Sequence, residues 1–129
     1  MTETDMAFYR AWAELLEWMR EYAAQHDGVK FVKQGDFTDY IYRMERPYDL
    51  PTTVMSASLS TPADEPILFA SCSQRAAAFK EISLRPFQSH IYRKLTLAED
   101  GRGLMEGPRP FTKEHLFRLA DGVFEVAAT

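Results

Sequence analysis

The chain has 129 residues, of which 46% are apolar and 26% charged, and its formal net charge is −4. This composition is that of an ordinary globular protein, and the length favours a single domain over residues 1–129. The single cysteine excludes an intrachain disulfide, and the acidic balance argues against nucleic acid as a partner.

The sequence also lacks the usual signs of membrane insertion or export. No apolar run approaches the roughly 20 residues that a helix needs to span a bilayer. The acidic start, Met1 to Asp5, lacks the basic region of a signal peptide. We therefore expect a cytoplasmic protein that does not contact a membrane.

Residues 4–26 carry the pattern of an amphipathic helix. Thr4 or Asp5 can cap its start, His26 marks its end and Gly28 lies just beyond. At helical spacing one half of the circumference is apolar. That half holds Phe8, Tyr9, Ala11, Trp12, Leu15, Leu16, Trp18, Met19, Tyr22 and Ala23. Such a broad aromatic face needs a partner surface, and we expect a sheet.

Between Val29 and Glu106 the sequence takes on the two-residue period of β-strands. The predicted strands are Val29–Gln34, Phe37–Arg46, Thr52–Ser60, Ile67–Cys72, the two arms of a hairpin within 78–97, and Leu104–Glu106. Gly35 and Asp36 suit a tight turn between the first two. Ile67–Cys72 is apolar on both faces, which indicates a central strand covered on both sides.

A second helix closes the chain. Thr112 can cap its start, and apolar residues from Leu116 to Ala127 recur at helical spacing, with Gly122 as a weak point. With no helices between the strands, the pattern predicts an α+β fold. We expect a five- to six-stranded, mostly antiparallel sheet with both helices on one face.

Small side chains along the predicted strands offered two interpretations. Ser56, Ser58, Ala70 and Ala76–Ala78 would let a tryptophan-bearing helix approach the sheet closely. The alternative is a binding surface lined by the serine hydroxyl groups.

Positive charge is concentrated in residues 75–94, which hold five Arg or Lys residues and one Glu. We expect a hairpin that closes around Pro86–Ser89 and pairs Arg85 with His90. In this register Glu81 lies opposite Lys94.

This hairpin supplies the candidate binding residues, namely Arg85, His90, Tyr92, Arg93 and Lys94. The guanidinium groups of the arginines and the amine of the lysine could bind a carboxylate, a phosphate or an acidic protein surface. Tyr92 could anchor such a contact. The alternative is a solvated strand face whose charges discourage aggregation. Phe87 and Tyr92 could also stack on the bases of a nucleic acid, but the net negative charge of the chain disfavours that partner.

No catalytic, metal or cofactor site is predicted. The three histidines are far apart in sequence without ligand spacing, and Cys72 lies in the most apolar strand. The surplus of aromatic residues makes a homodimer one candidate assembly.

The sequence therefore favours a non-enzymatic binding module, namely an adaptor, regulator or partner-specific chaperone, that contacts a protein or an anionic group through residues 85–94. The alternative is a small-molecule-binding protein or an enzyme, with a pocket between the sheet and the first helix in which His90 acts.

Overall fold

The computed structural model describes residues 3–34, 53–75, 78–86 and 92–128. Its elements in chain order are α1 (Glu3–Gln25), β1 (Lys30–Gln34), β2 (Thr53–Ser60), β3 (Pro66–Arg75), β4 (Ala78–Pro86), β5 (Arg93–Leu97), β6 (Leu104–Glu106), β7 (Arg109–Phe111) and α2 (Lys113–Ala128). All seven described strands form one antiparallel sheet in sequence order. The predicted α+β class is confirmed.

One face of the sheet and both helices enclose the hydrophobic core. Side chains alternate between the two faces of a strand, so every second residue points towards the helices. The sheet contributes Ala57, Leu59, Leu68, Ala70, Cys72, Ile82, Leu84, Leu95, Leu104 and Phe111. From α1 come residues of the predicted apolar face, among them Phe8, Leu15 and Met19, and from α2 come Leu116 and Ala120. Both helices lie on one face, as the sequence predicted.

Of the small residues expected to lie beneath α1, Ala70 does so, whereas Ser56 and Ser58 do not. Ala57, Ala70 and Cys72 belong to the core beneath the helices. Ser56 and Ser58 alternate with the core residues of β2, so they point to the opposite face, where they are nevertheless buried. The interpretation that these serines allow α1 to approach the sheet closely is therefore wrong.

The strand count also differs from the prediction. Arg109–Phe111, which is not among the predicted strands, forms β7 and pairs with β6. Its Pro110 is tolerated because β7 is the last strand at that end of the described sheet. At the other end β1 pairs with β2, whereas the predicted partner Phe37–Arg46 and the turn at Gly35 and Asp36 lie outside the described residues.

The pairing of β4 with β5 is shifted by two residues from the predicted register. Ser83 lies opposite Lys94 and Leu84 opposite Arg93, whereas the sequence placed Ser83 opposite Tyr92. The connection from Pro86 to Arg93 is longer than a turn around Pro86–Ser89 would require. A shift of two keeps each side chain on its predicted face, because the alternation also has a period of two.

The two helices contact each other at one corner of the core. The Tyr22 hydroxyl group donates a hydrogen bond of 2.8 Å to Asp121 Oδ1. The Tyr22 ring packs edge-on against Phe117 of α2 and stacks on His26 with 3.8 Å between ring centroids. Neither helix in the described ranges is long and apolar enough to cross a membrane.

Candidate binding groove beside the second helix

The four candidate residues of the basic hairpin that the structure describes are divided between the two faces of the sheet. Arg85 and Lys94 point away from the helices, since Lys94 pairs with Ser83 and Arg85 alternates with the core residue Leu84. Arg93 lies opposite Leu84 and points to the helix side of the sheet. The sequence placed Arg93 on the opposite face from Arg85 and Lys94, and the strand pairing shows the same separation. That these residues bind a partner stays a prediction.

Each described cation of this group has a partner within the chain. The Arg85 guanidinium lies 5.6 Å from the centroid of the Phe69 ring. Lys94 Nζ lies 2.9 Å from Glu81 Oε1, which keeps the predicted charge pair as a diagonal contact. Arg93 Nη1 lies 3.2 Å from Glu106 Oε1.

The remaining two candidate residues are placed differently. Tyr92 directly precedes β5 and is 54% exposed. His90 lies outside the described residues. Of the five, Arg93 is the one that lines a depression in the described structure.

That depression is a groove of about 860 Å³ between α2 and the adjoining end of the sheet. Three separate segments line it: the β2–β3 connection with Ile67, the strand ends at Pro86 and Arg93, and one side of α2. We call this site the α2 groove. The residues of α2 that line it include His115, Arg118, Leu119, Gly122, Val123 and Val126.

Helical periodicity explains why α2 serves both the core and the groove. Leu116 and Ala120 point to the sheet and are fully buried. The groove residues of α2 recur at spacings of three and four, so they form a neighbouring stripe. Gly122 has no side chain, and a Cβ built there would meet nothing within 4 Å, so the groove is open at that point. Val126 is 74% exposed.

The described lining of the α2 groove holds two arginines and one carboxylate, whereas the chain as a whole is acidic. Arg93 and Arg118 line the groove, and Glu65 is the one carboxylate among its described lining residues. Arg93 is paired with Glu106. In the described part of the chain Arg118 forms neither an ion pair nor a hydrogen bond, so its charge is available to an external group.

A second depression of about 870 Å³ lies at the margin of α1, beside the β5–β6 and β6–β7 turns. Trp18 and Glu14 line it from the helix, and Glu99 and Asp100 line it from the turn. The interface between α1 and the middle of the sheet is filled by Trp12, among other side chains.

Cys72 and His26 have environments that suit structural roles. Burial raises the pKa of the Cys72 thiol well above its usual range, so the thiolate needed by a nucleophile or a metal ligand is disfavoured. His26 Nδ1 donates a hydrogen bond of 2.8 Å to the carbonyl oxygen of Tyr22. No group of three or more metal-ligating side chains occurs among the residues that the structure describes.

Comparison with known proteins assigns the chain to a family. The family model described as NADH-quinone oxidoreductase chain 15 matches residues 3–127. The NADH-quinone oxidoreductase subunit 15 of Thermus thermophilus is 53% identical over 125 residues, which cover 97% of this chain and 95% of that protein.

These matches overturn the functional hypothesis drawn from the sequence. A free-standing adaptor, regulator or chaperone is wrong, because the matching relative is named as a subunit of an oxidoreductase. The alternative of a pocket enzyme using His90 gains no support from them. Composition could not reveal this relationship, and the α2 groove was missed because its three segments are distant in sequence.

Proposed function

The chain belongs to the NADH-quinone oxidoreductase chain 15 family, and we propose on that premise that it is a subunit of an NADH-quinone oxidoreductase. The observation that supports this proposal is the 53% identity to the Thermus thermophilus subunit across nearly the full length of both proteins. Similarity confined to one motif would support only a shared local structure. Similarity along the whole chain supports a shared role in the same kind of assembly.

We further propose that the chain works through contact with other protein subunits. Its surface supports this role, since the α2 groove combines exposed apolar side chains with arginines at its edge. Aromatic, apolar and arginine side chains are enriched at the centres of protein interfaces. The single cysteine, moreover, cannot supply the several thiolates that usually hold an iron–sulfur cluster.

Purification through this chain tests the proposal. An affinity-tagged copy is expressed at native level in its natural host and purified under mild conditions. We expect the other NADH-quinone oxidoreductase subunits, identified by mass spectrometry, to be recovered together with NADH–quinone activity. The matched control is the same tag on an unrelated protein of similar size and charge. Recovery of the tagged chain without those subunits would contradict the proposal.

Two finer predictions belong to the same proposal. A cytoplasmic location for the chain remains a prediction, to be tested by fractionation of the host cells. A homodimer also remains a prediction. Native mass spectrometry tests the homodimer by counting the copies of this chain per assembly, which must be an even number if the chain is a dimer.

A further inference from the structure

We propose that the α2 groove binds an acidic, apolar segment of a partner subunit. This inference rests on the proposed function and specifies the contact surface. The groove residues that carry it are Ile67, Arg93, Arg118, Leu119, Val123 and Val126.

The apolar part of the argument comes from exposure. Tyr92 and Val126 are the large hydrophobic residues exposed in the described part of the chain. Val126 lines the groove, where it extends the partly buried Leu119 and Val123 onto the open surface. Tyr92 is not among the described lining residues of the groove. An exposed apolar patch beside a concave surface is typical of a site that a partner covers.

The charge of the partner segment follows from the edge of the groove. The Arg118 side chain has no partner in the described residues, Arg93 is paired with Glu106, and Glu65 is the one carboxylate among the described lining residues. A basic segment would bring positive charge against both guanidinium groups. A segment with a carboxylate beside its apolar side chains would pair with Arg118 in the bidentate geometry that arginine favours.

A second copy of this chain is a poor occupant of the groove. In a twofold dimer the same patch meets itself, so the arginines of one copy would approach those of the other. Each chain also carries a net charge of −4, which adds long-range repulsion. Charge complementarity therefore favours a different, acidic partner.

The test uses the oxidoreductase purified from a host strain that lacks this chain, to which fluorescently labelled chain is added back. Two variants alter exposed groove residues, Arg118→Glu and Val126→Asp. Two matched controls make the same kinds of change elsewhere. Arg10→Glu reverses an exposed charge on α1, and Ala24→Asp places an acid near the C-terminal end of α1, as Val126→Asp does on α2.

We expect the wild type and both controls to bind alike and each groove variant to bind about tenfold more weakly or worse. Circular dichroism confirms that all four variants are folded. Groove variants that bind as tightly as the wild type would overturn the groove assignment while the proposed function stands. Failure of the wild type to bind would overturn both. Light scattering that showed the free chain dimerising through the groove would replace the acidic partner with a second copy.

The acidic nature of the segment is tested separately by cross-linking. In Arg118→Lys the new amine can be joined by a carbodiimide directly to a carboxylate that lies against it. We expect the rebound assembly to give a cross-link from position 118 to an Asp or Glu of another subunit, which mass spectrometry identifies. A cross-link confined to this chain, or none while binding persists, would contradict an acidic partner segment.

Discussion

At the scale of single residues, Tyr22 makes the most informative contact between the two helices. Its side chain is almost fully buried, and its hydroxyl group donates to Asp121 Oδ1. Burial raises the pKa of this phenol above its ordinary value of 10.0, and the hydrogen bond to Asp121 and the charge of that carboxylate raise it further. The folded protein therefore favours neutral Tyr22.

Replacing Tyr22 with Phe should lower the free energy of unfolding by about 1 kcal/mol at neutral pH, because one hydrogen bond between the helices is lost. Urea denaturation measures the change. The stabilisation by neutral Tyr22 is fully present below pH 10 and falls above it, because the unfolded chain then ionises while the folded chain does not. The difference between wild type and Tyr22→Phe should accordingly shrink as the pH rises above 10.

The matched control for this prediction is Tyr92→Phe, since Tyr92 is exposed and precedes β5. That substitution should leave the stability and its pH dependence close to those of the wild type. An identical response of the two variants above pH 10 would contradict the role assigned to Tyr22.

Charge pairs at this scale show what sequence can and cannot predict. The Glu81–Lys94 pair was predicted, because it depends only on strand alternation and approximate register. The Arg93–Glu106 pair was not, since it joins β5 to β6 and requires the exact pairing of a short strand. The position of Arg118 in a groove could not be inferred, because it depends on how α2 packs against the sheet.

At the scale of elements, two glycines of similar surroundings should respond in opposite ways to replacement by Ala. Gly28 follows α1 with φ of +81°, and Gly122 lies within α2 without a positive φ; an added Cβ meets nothing within 4 Å at either site. Gly28→Ala should cost about 1 kcal/mol, because the left-handed conformation is strained for an L-residue.

Gly122→Ala should stabilise the protein by about 0.5–1 kcal/mol, because alanine is the better helix former. Thermal and urea denaturation of both variants measure the contrast. A loss of stability in Gly122→Ala as large as that in Gly28→Ala would show that backbone conformation does not govern these sites.

The start of α2 depends on a reciprocal cap between Thr112 and His115. Thr112 Oγ1 accepts a bond from the His115 N–H at 3.4 Å, and the Thr112 N–H donates to His115 Nδ1 at 3.2 Å. Thr112→Ala should lower the free energy of unfolding by about 1 kcal/mol, measured by urea denaturation. Thr112→Ser keeps the accepting hydroxyl and should retain most of the stability. Equal losses in the two variants would contradict the cap.

Most of the elements were predictable, whereas their ends and register were not. The faces of α1 and α2 follow from periodicity, and the antiparallel order follows from the absence of helices between the strands. The register of β4 and β5 was missed by two residues, because turn-forming residues near Pro86 do not fix the length of the connection. β7 was missed because Pro110 is rare inside strands away from sheet ends.

At the scale of the whole molecule, the described elements share one hydrophobic core that includes both helices and the sheet. A single domain over residues 1–129 remains a prediction, and cooperative unfolding tests it. Fluorescence of the buried Trp12 and far-ultraviolet circular dichroism should give coincident urea transitions. Trp18→Phe isolates the Trp12 signal. Two transitions at different urea concentrations would contradict a single domain.

The partner could not be inferred from the sequence, for a physical reason. The α2 groove joins residues near 65, Pro86 and Arg93, and residues from 115 to 127, which only the folded chain brings together. Local charge singled out residues 85–94, in which Arg93 and Lys94 are paired with carboxylates of the chain, and binding through these residues stays a prediction. Arg118 is exposed and has no ion pair in the described part of the chain, and its place in the groove depends on the packing of α2 against the sheet.

The most direct test of the central claim purifies the oxidoreductase through a different subunit. The tag is placed on another NADH-quinone oxidoreductase subunit, the enzyme is separated on a density gradient, and this chain is quantified against the core subunits by mass spectrometry. If the chain is a subunit, its ratio to the core subunits stays constant across the fractions with NADH–quinone activity. Absence of the chain from those fractions, or a ratio that varies independently of activity, would contradict the account.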